Sequence, residues 1–514
     1  MSADNSSANK RIAKNSVLLS VRMVIVLLIS LYTTRAVLSL LGVEDYGVYN
    51  VVCGFVGMFS FLSTTMGGSI QRFYNVELGK NGEDGARLVF NTAFRIQLLF
   101  AVISVLLCEV VGLWYLHEKM VIPSDRMFAA EWIFQFSMAT FFFTMMQAPY
   151  SAAVMAHEKM DFYAVINVVD VVLKLLIVFI IPYLEGDYLI LYGLFIALIS
   201  VFDIIWYIIY CKKNFKEIVF AGGHDKLTFR DMLSFSGWNM FGSLSQILRE
   251  QGINLIMNLF WGPVVNAARG VANQVNGAIN GFVTNILTPV RPQVIQSYVE
   301  GNLNRSFHLT YSVSKVSIMF FYMMALPISL EIGYILKLWL GENVPEHSGS
   351  FVILVLLNTA VTILMGAMAT MVHASGDMKK YQIVGFIIKT LSVPAGYFLL
   401  KFGSAPEIAL FMVFLFDFIG YVVGLFIIRS IMPFSIKDYI KSVALPLFPV
   451  LVLPFIITLP LCYFLESGFV RLLVVMFIGV LSVATCSWWF GFNKSEKEMV
   501  RAFVNTTKKR FHHK

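Results

Sequence analysis

The chain has 514 residues, of which 58% are hydrophobic, 15% aromatic and 14% charged, with a net charge of +8 at pH 7. Soluble domains carry about 25% charged residues, so this balance excludes a soluble enzyme, a disordered chain and a nucleic-acid-binding protein. The basic residues sit in short loops and the C-terminal tail, not in one stripe, so no nucleic-acid partner is expected.

The N-terminus, residues 1–15, is polar and carries Lys10, Arg11 and Lys14. The apolar stretch that follows runs to about Leu41. That is too long for the core of a cleavable signal, and no small-residue cleavage site ends it. Crossing a bilayer as a helix takes ~20 apolar residues. Such segments recur at 16–41, 46–70, 88–115, 127–151, 162–183, 188–211, 233–260, 264–288, 309–335, 349–373, 381–400, 406–429, 440–464 and 469–491. The pattern predicts an all-α polytopic membrane protein with about fourteen transmembrane helices and both termini on one side. It lacks the short alternating segments of a membrane β-barrel.

Lysine and arginine in the loops set the orientation. With the N-terminus inside, 26 lie in inner loops and tails, among them Arg72, Lys80, Lys212, Lys213, Lys379 and Lys380. Five lie outside: Lys119, Arg126, Lys337, Lys401 and Arg471. Both termini are therefore expected in the cytoplasm. The longest inner loop is 212–232, no extramembrane piece is large, and no Gly-rich phosphate loop is present. Energy would come from an ion or substrate gradient or from a partner. Cys53, Cys108, Cys211, Cys462 and Cys486 are scattered, and the eight histidines form no metal-ligand motif, so no disulfide framework, metal or other cofactor is expected.

The loop 212–232 divides a repeat. Leu41-Gly42 has a counterpart in Trp261-Gly262, and Phe202-Asp203-x-Ile205-x-Tyr207 has one in Phe416-Asp417-x-Ile419-x-Tyr421. Six helices separate the partners, so the halves share one orientation, an arrangement that places a substrate path at the repeat interface. The expected organisation is a cytoplasmic N-terminus (1–15), a six-helix lobe (16–211), an inter-lobe linker (212–232), a second six-helix lobe (233–430), two further helices (431–492) and a basic tail (493–514) with Lys508, Lys509 and Arg510. The two lobes would surround a central cavity.

Charges inside spans are the strongest functional signal, because each costs ~2.5–3.5 kcal/mol at a helix centre on insertion scales. Eight are basic: Arg22, Arg35, Arg95, Lys174, Arg249, Arg269, Lys315 and Lys389. Seven are acidic: Glu109, Glu131, Asp170, Asp203, Glu250, Glu331 and Asp417. Arg35 and Lys315 lie near span ends, where snorkelling or packing explains them. Asp170 and Lys174 stand four apart on one helix and are expected to pair. Arg22, Arg95, Arg249, Arg269 and Lys389 are the candidates for lining a cavity, with structural ion pairing as the competing explanation.

Polar stripes sharpen this. Asn266, Arg269, Asn273, Asn276 and Asn280 recur at intervals of 3 and 4 and fall within ~80° of one helix face. Asn239, Ser243, Gln246, Glu250 and Asn254 do the same on the preceding helix, with Arg249 beside them, and Tyr46, Asn50, Cys53, Gly57, Ser60, Thr64, Gly67 and Gln71 form a milder stripe. Such faces serve helix–helix hydrogen bonding or a wet lumen. Amides suit sugar hydroxyls because each both donates and accepts; guanidinium and ammonium suit phosphate. Asn273, Asn276, Asn280 and Gln246 are therefore candidate contacts to an anionic, sugar-bearing substrate. Asp170, Asp203, Glu250 and Asp417 are the carboxylates to consider for proton or sodium coupling.

Arg35-x-x-Leu38-x-x-Leu41-Gly42-x-x-x-Tyr46-Gly47-x-Tyr49, then Gln71-Arg72-Phe73-Tyr74, then the segment Ala148–Tyr163, give the chain a family likeness. It resembles the polysaccharide transporters, or lipid-linked oligosaccharide flippases, that move O-antigen and capsule repeat units across bacterial inner membranes. They belong to the multidrug/oligosaccharidyl-lipid/polysaccharide exporter superfamily. The resemblance implies two six-helix lobes around a cationic cavity, with two helices appended. It also implies alternating access for an undecaprenyl-pyrophosphate-linked glycan, with Arg22, Arg249 and Arg269 meeting its acidic groups. The partners implied are that substrate, membrane lipids and other polysaccharide-assembly membrane proteins. The alternative within the superfamily is a proton- or sodium-coupled multidrug exporter. A membrane enzyme is not expected: a polymerase or ligase needs a large outer loop, and His308 and His373 lie only at segment ends.

Overall fold

The computed structural model describes residues 2–219, 226–287 and 290–498. The tail with Lys508, Lys509 and Arg510 lies outside the described residues, as do the middle of the expected linker and the side chains of Thr64, Asn239 and Ser243.

Among the described residues the chain is helical, with no strand. In chain order the helices are α1 (Ser2–Gly57), α2 (Ser60–Leu107), α3 (Leu113–Glu118), α4 (Met127–Ala156), α5 (Met160–Ile180), α6 (Tyr188–Asn214), α7 (Lys226–Trp261), α8 (Pro263–Leu287) and α9 (Arg291–Val299). There follow α10 (Leu303–Leu330), α11 (Ile332–Leu340), α12 (Ser348–Ser375), α13 (Lys379–Lys401), α14 (Glu407–Ile431), α15 (Ile436–Tyr439), α16 (Leu445–Phe464) and α17 (Phe469–Cys486). Hydrocarbon offers no water to a peptide group, so a spanning segment must satisfy its own N–H and C=O groups, which a helix does.

Ten helical segments among the described residues are long and apolar enough to cross a membrane. Among the described residues the fourteen expected spans fall on helices, but α4, α7 and α8 are not among the ten. The first two helices also run through the breaks that separate expected spans: α1 is interrupted at Gly42 (φ 78°) and α2 at Gly82 (φ 62°), while Met58 and Phe59 form a turn inside the expected span 46–70. A left-handed φ favours glycine, since a Cβ collides there with the following carbonyl. Gly262, at the repeated position, has φ 74°, so the two glycines read from the sequence as counterparts share nearly the same positive φ.

The helix ends follow local chemistry. Asp187 caps α6, accepting from the N–H groups of Leu189 at 2.9 Å and Ile190 at 3.2 Å. Asn493 and Glu496 form a reciprocal capping box, each side chain accepting the other's backbone N–H at 2.8 Å.

By its contacts the chain falls into two compact units: residues 1–270 with 393–409, and residues 271–392 with 410–514. In the first, α4 packs on α2 and α6, α1 on α4 and α5, and α7 on α2. Its core has one cluster around Val51, Phe55, Phe134 and Met138 and another around Ile70, Tyr74, Phe90, Tyr150 and Tyr207. Residues 215–219, at the start of the expected linker, dock on this unit: Phe215, Glu217 and Ile218 are buried, and the Asn91 amide donates to the Val219 carbonyl at 3.0 Å. In the second unit, α10 packs against α9, α12, α16 and α17.

One close approach explains a motif. A Cβ on Gly47 would stand 2.0 Å from the Pro263 carbonyl oxygen, so α1 meets the start of α8 with no room for a side chain. Overpacking of this kind costs ~1–3 kcal/mol or more. Gly47→Val is expected to lower the thermal unfolding midpoint of the detergent-purified protein markedly, with Gly42→Ala as a milder variant; an unchanged midpoint for Gly47→Val would contradict the contact.

Candidate functional site

The sequence singled out α7 and α8, and in the first unit they carry two kinds of polar residue. The first kind holds the helices together. Asn266 is fully buried and donates to the backbone carbonyl and the side-chain oxygen of Asn254, each at 2.8 Å. Asn254 donates to the Asn50 carbonyl at 3.3 Å, and Asn258 exchanges two hydrogen bonds with the backbone of Val121, at 2.9 and 3.1 Å. Part of the stripe is thus accounted for by packing between helices.

The second kind is charged. Arg249 is buried to 2% exposure, and its guanidinium donates to the Gln246 side-chain oxygen at 3.1 Å. The Gln246 amide in turn donates to the exposed Glu250 carboxylate. Arg269, 6% exposed, is attracted by Glu250 and repelled by Arg249, so the three groups share one neighbourhood. Its Nη1 is buried with no hydrogen-bond partner among the described residues. A buried donor without a partner costs several times a satisfied one, more when it is charged. Two buried guanidinium groups, one with an unused donor, can receive an oxyanion.

The remaining candidates divide between the units. In the first, the Arg22 guanidinium lies 5.1 Å over the Tyr163 ring, a cation–π contact. Arg95, on α2, is exposed. Lys174 donates to Asp170 at 2.9 Å, the pairing expected from their spacing, and Asp203 on α6 lies beside Asp170. In the second unit, Asn276 accepts from the Thr359 hydroxyl at 2.6 Å, Asn273 and Asn280 are exposed, Lys389 is half-buried and Asp417 is fully buried.

Several charges are structural. Lys315 makes a buried ion pair with Glu496 at 2.8 Å and donates to the Gly491 carbonyl at 3.2 Å. Arg471 pairs with the buried Glu331 at 2.8 Å. Arg126 forks between Asp45 and Asp187, joining α1, the start of α4 and the α6 cap. At another corner of the first unit, the Tyr74 hydroxyl donates to Glu217 at 2.6 Å, and the His157 ring, stacked on Phe215 with centroids 4.1 Å apart, meets the same carboxylate at 2.6 Å. The sequence reading missed this triad, although Tyr74 and His157 lie in two of the segments that carry the family likeness.

The fold is that of the multidrug/oligosaccharidyl-lipid/polysaccharide exporter transporters. The structure of the lipid II flippase MurJ in an inward closed conformation aligns with a TM-score of 0.68 at 14% identity, covering 92% of this chain and 98% of that one. An inward-facing multidrug resistance MATE family transporter of the MOP superfamily aligns with a TM-score of 0.65 at 14% identity, over 81% of this chain and 97% of that one. A MOP superfamily transporter from Pyrococcus furiosus aligns at 0.60 and 15% identity, over 81% and 95%. Residues 12–297 match the family described as polysaccharide biosynthesis protein, and the chain belongs to that family. No curated protein matches it. It is a multi-span membrane protein whose fold relatives are transporters and flippases, not enzymes.

The Tyr74–Glu217–His157 triad has a pH signature. Burial works to raise the Glu217 carboxyl, but the hydrogen bonds from Tyr74 and His157 outweigh it and hold it below its ordinary 4.5. A carboxylate held low in the folded state contributes stability that is complete above its unfolded value and is lost as the pH falls through its folded value. The unfolding midpoint of the wild type is therefore expected to drop as the pH is taken below 4.5, and Glu217→Gln to start lower and drop less. Parallel pH profiles for the two proteins would refute this.

Proposed function

We propose that the protein is a flippase. It carries an undecaprenyl-pyrophosphate-linked oligosaccharide from the cytoplasmic to the outer leaflet of the bacterial inner membrane, by alternating access, in the biosynthesis of a surface polysaccharide such as O-antigen, capsule or exopolysaccharide. The observation that carries this reading is the buried Arg249 and Arg269, with a guanidinium nitrogen of Arg269 lacking a hydrogen-bond partner among the described residues, in a chain of the polysaccharide biosynthesis family.

The chemistry is differential charge. With the site empty, the Arg269 Nη1 donor has no hydrogen-bond partner among the described residues. The pyrophosphate accepts that donor and brings negative charge to the two guanidinium groups. Gln246 and the exposed Asn273 and Asn280 offer amides to sugar hydroxyls. Arg22, Arg95 and Lys389 add positive charge along the path, and Asn276 contributes through its contact with Thr359. Asp170, Asp203, Glu250 and Asp417 are the carboxylates assigned to proton or sodium coupling. A division into lobes at 212–232, both termini in the cytoplasm, and contact with other polysaccharide-assembly membrane proteins belong to the same proposal.

The test is a gene deletion complemented with variants. Deletion should abolish the surface glycan and cause its undecaprenyl-linked precursor to accumulate. Arg249→Ala and Arg269→Ala should each lower surface glycan about tenfold or more at normal membrane protein level, about the loss of one charged hydrogen bond. Wild-type export by both variants would remove their role. A deletion that sensitises cells to drugs and spares the glycan would favour multidrug export instead.

A further inference from the structure

We infer that a polar pocket inside the first unit, walled by α2, α4, α5 and α6, holds one uncharged sugar ring of the glycan. The inference rests on the flippase reading and adds to it a second recognition site, built from different residues.

The pocket has a volume of about 330 Å³ and is lined by Gln71, Gln147, Ser151, Tyr163, Asn167 and Tyr207, together with Met155, Thr144 and small residues. That is at the low end of the ~300–1,000 Å³ typical of ligand clefts, room for a single ring rather than a whole repeat unit. No charged side chain lines it, so it offers nothing specific to a phosphate or to a drug cation. It offers amides and hydroxyls, groups that donate and accept at once, as sugar hydroxyls do.

The walls are arranged in advance. The Tyr207 hydroxyl lies within hydrogen-bonding reach of Ser151 and Gln147. The Asn167 amide nitrogen is engaged by the Tyr163 carbonyl at 2.7 Å, which leaves its oxygen to accept. Arg22 over Tyr163 puts a cation at the rim, outside the lining. Asp170, one turn along α5 from Asn167, is engaged by Lys174.

The space has a cause in the sequence. Pro149 sits inside α4 and lacks an N–H, so one helical hydrogen bond is missing beside the pocket's α4 wall. Ala148 and Ala152 flank it and Gly67 faces it from α2, leaving room that larger side chains would fill. Two of the segments that carry the family likeness, 71–74 and 148–163, supply Gln71, Ser151 and Tyr163.

Gly67 provides the test, because a Cβ added there meets nothing within 4 Å. Gly67→Leu enters open space, and leucine is the better helix former. The probes are the lipid-linked glycan that accumulates in the deletion strain and undecaprenyl pyrophosphate without sugars, titrated against the full chain in detergent. Gly67→Leu and Gln147→Ala/Asn167→Ala should each weaken glycan-lipid binding about tenfold and leave undecaprenyl pyrophosphate binding unchanged, with an unchanged unfolding midpoint for Gly67→Leu. Arg249→Ala/Arg269→Ala should weaken both ligands. If both pocket variants bind the glycan-lipid like the wild type while the arginine variant does not, the pocket inference is overturned and the flippase reading stands. If the wild type binds neither ligand, both fall.

Discussion

An ion in hydrocarbon must find a partner or a function, and that constraint shapes most of this chain. Lys174 meets Asp170, Lys315 meets Glu496 and Arg471 meets Glu331, each at hydrogen-bonding distance. These pairs let charged residues sit among apolar helices at little net cost, without making them stabilising in themselves. Arg269 departs from the pattern: it shares a neighbourhood with Glu250 and Arg249, and one of its guanidinium nitrogens has no hydrogen-bond partner among the described residues. That departure is local, which is why the small net charge of the spans as a whole says little about it.

Two kinds of polar chemistry lie within one unit. The arginines on α7 and α8 suit a diffuse, doubly charged group. The pocket on α2, α4, α5 and α6 suits hydroxyls and is neutral. A glycan joined to a lipid through pyrophosphate presents both chemistries on one molecule. Neither element would select it alone: phosphate is common to many ligands, and a small amide-lined hollow could hold many polar rings.

Much of the fold was legible because the membrane makes the rules simple. Apolar length located the helices, and glycines in matching contexts marked turns that proved to have φ 78° and 74°. What the pattern could not show was how one polar face is shared out. Asn254 and Asn266 lie on the same stripes as Glu250 and Arg269, yet they bond each other across α7 and α8, while the charged members do not. Spacing assigns a residue to a face; only the neighbouring helix decides whether that face is dry. The pocket was hidden for a similar reason, since its lining comes from four helices distant in sequence and only Gly67 and Gln71 stood out in a stripe. The Tyr74–Glu217–His157 triad was missed because Glu217 lies just past a helix end, where a sequence reads as solvent-exposed loop.

The Lys315–Glu496 pair bears on how the end of this chain can be altered. Glu496 lies beyond α17, in the segment read from the sequence as the start of a basic tail, yet it is 5% exposed and is fixed by Asn493. Cutting the chain before Asn493 would strand an ammonium group in the interior of the second unit, whereas a fluorescent fusion or affinity tag joined after Glu498 would leave that anchor intact.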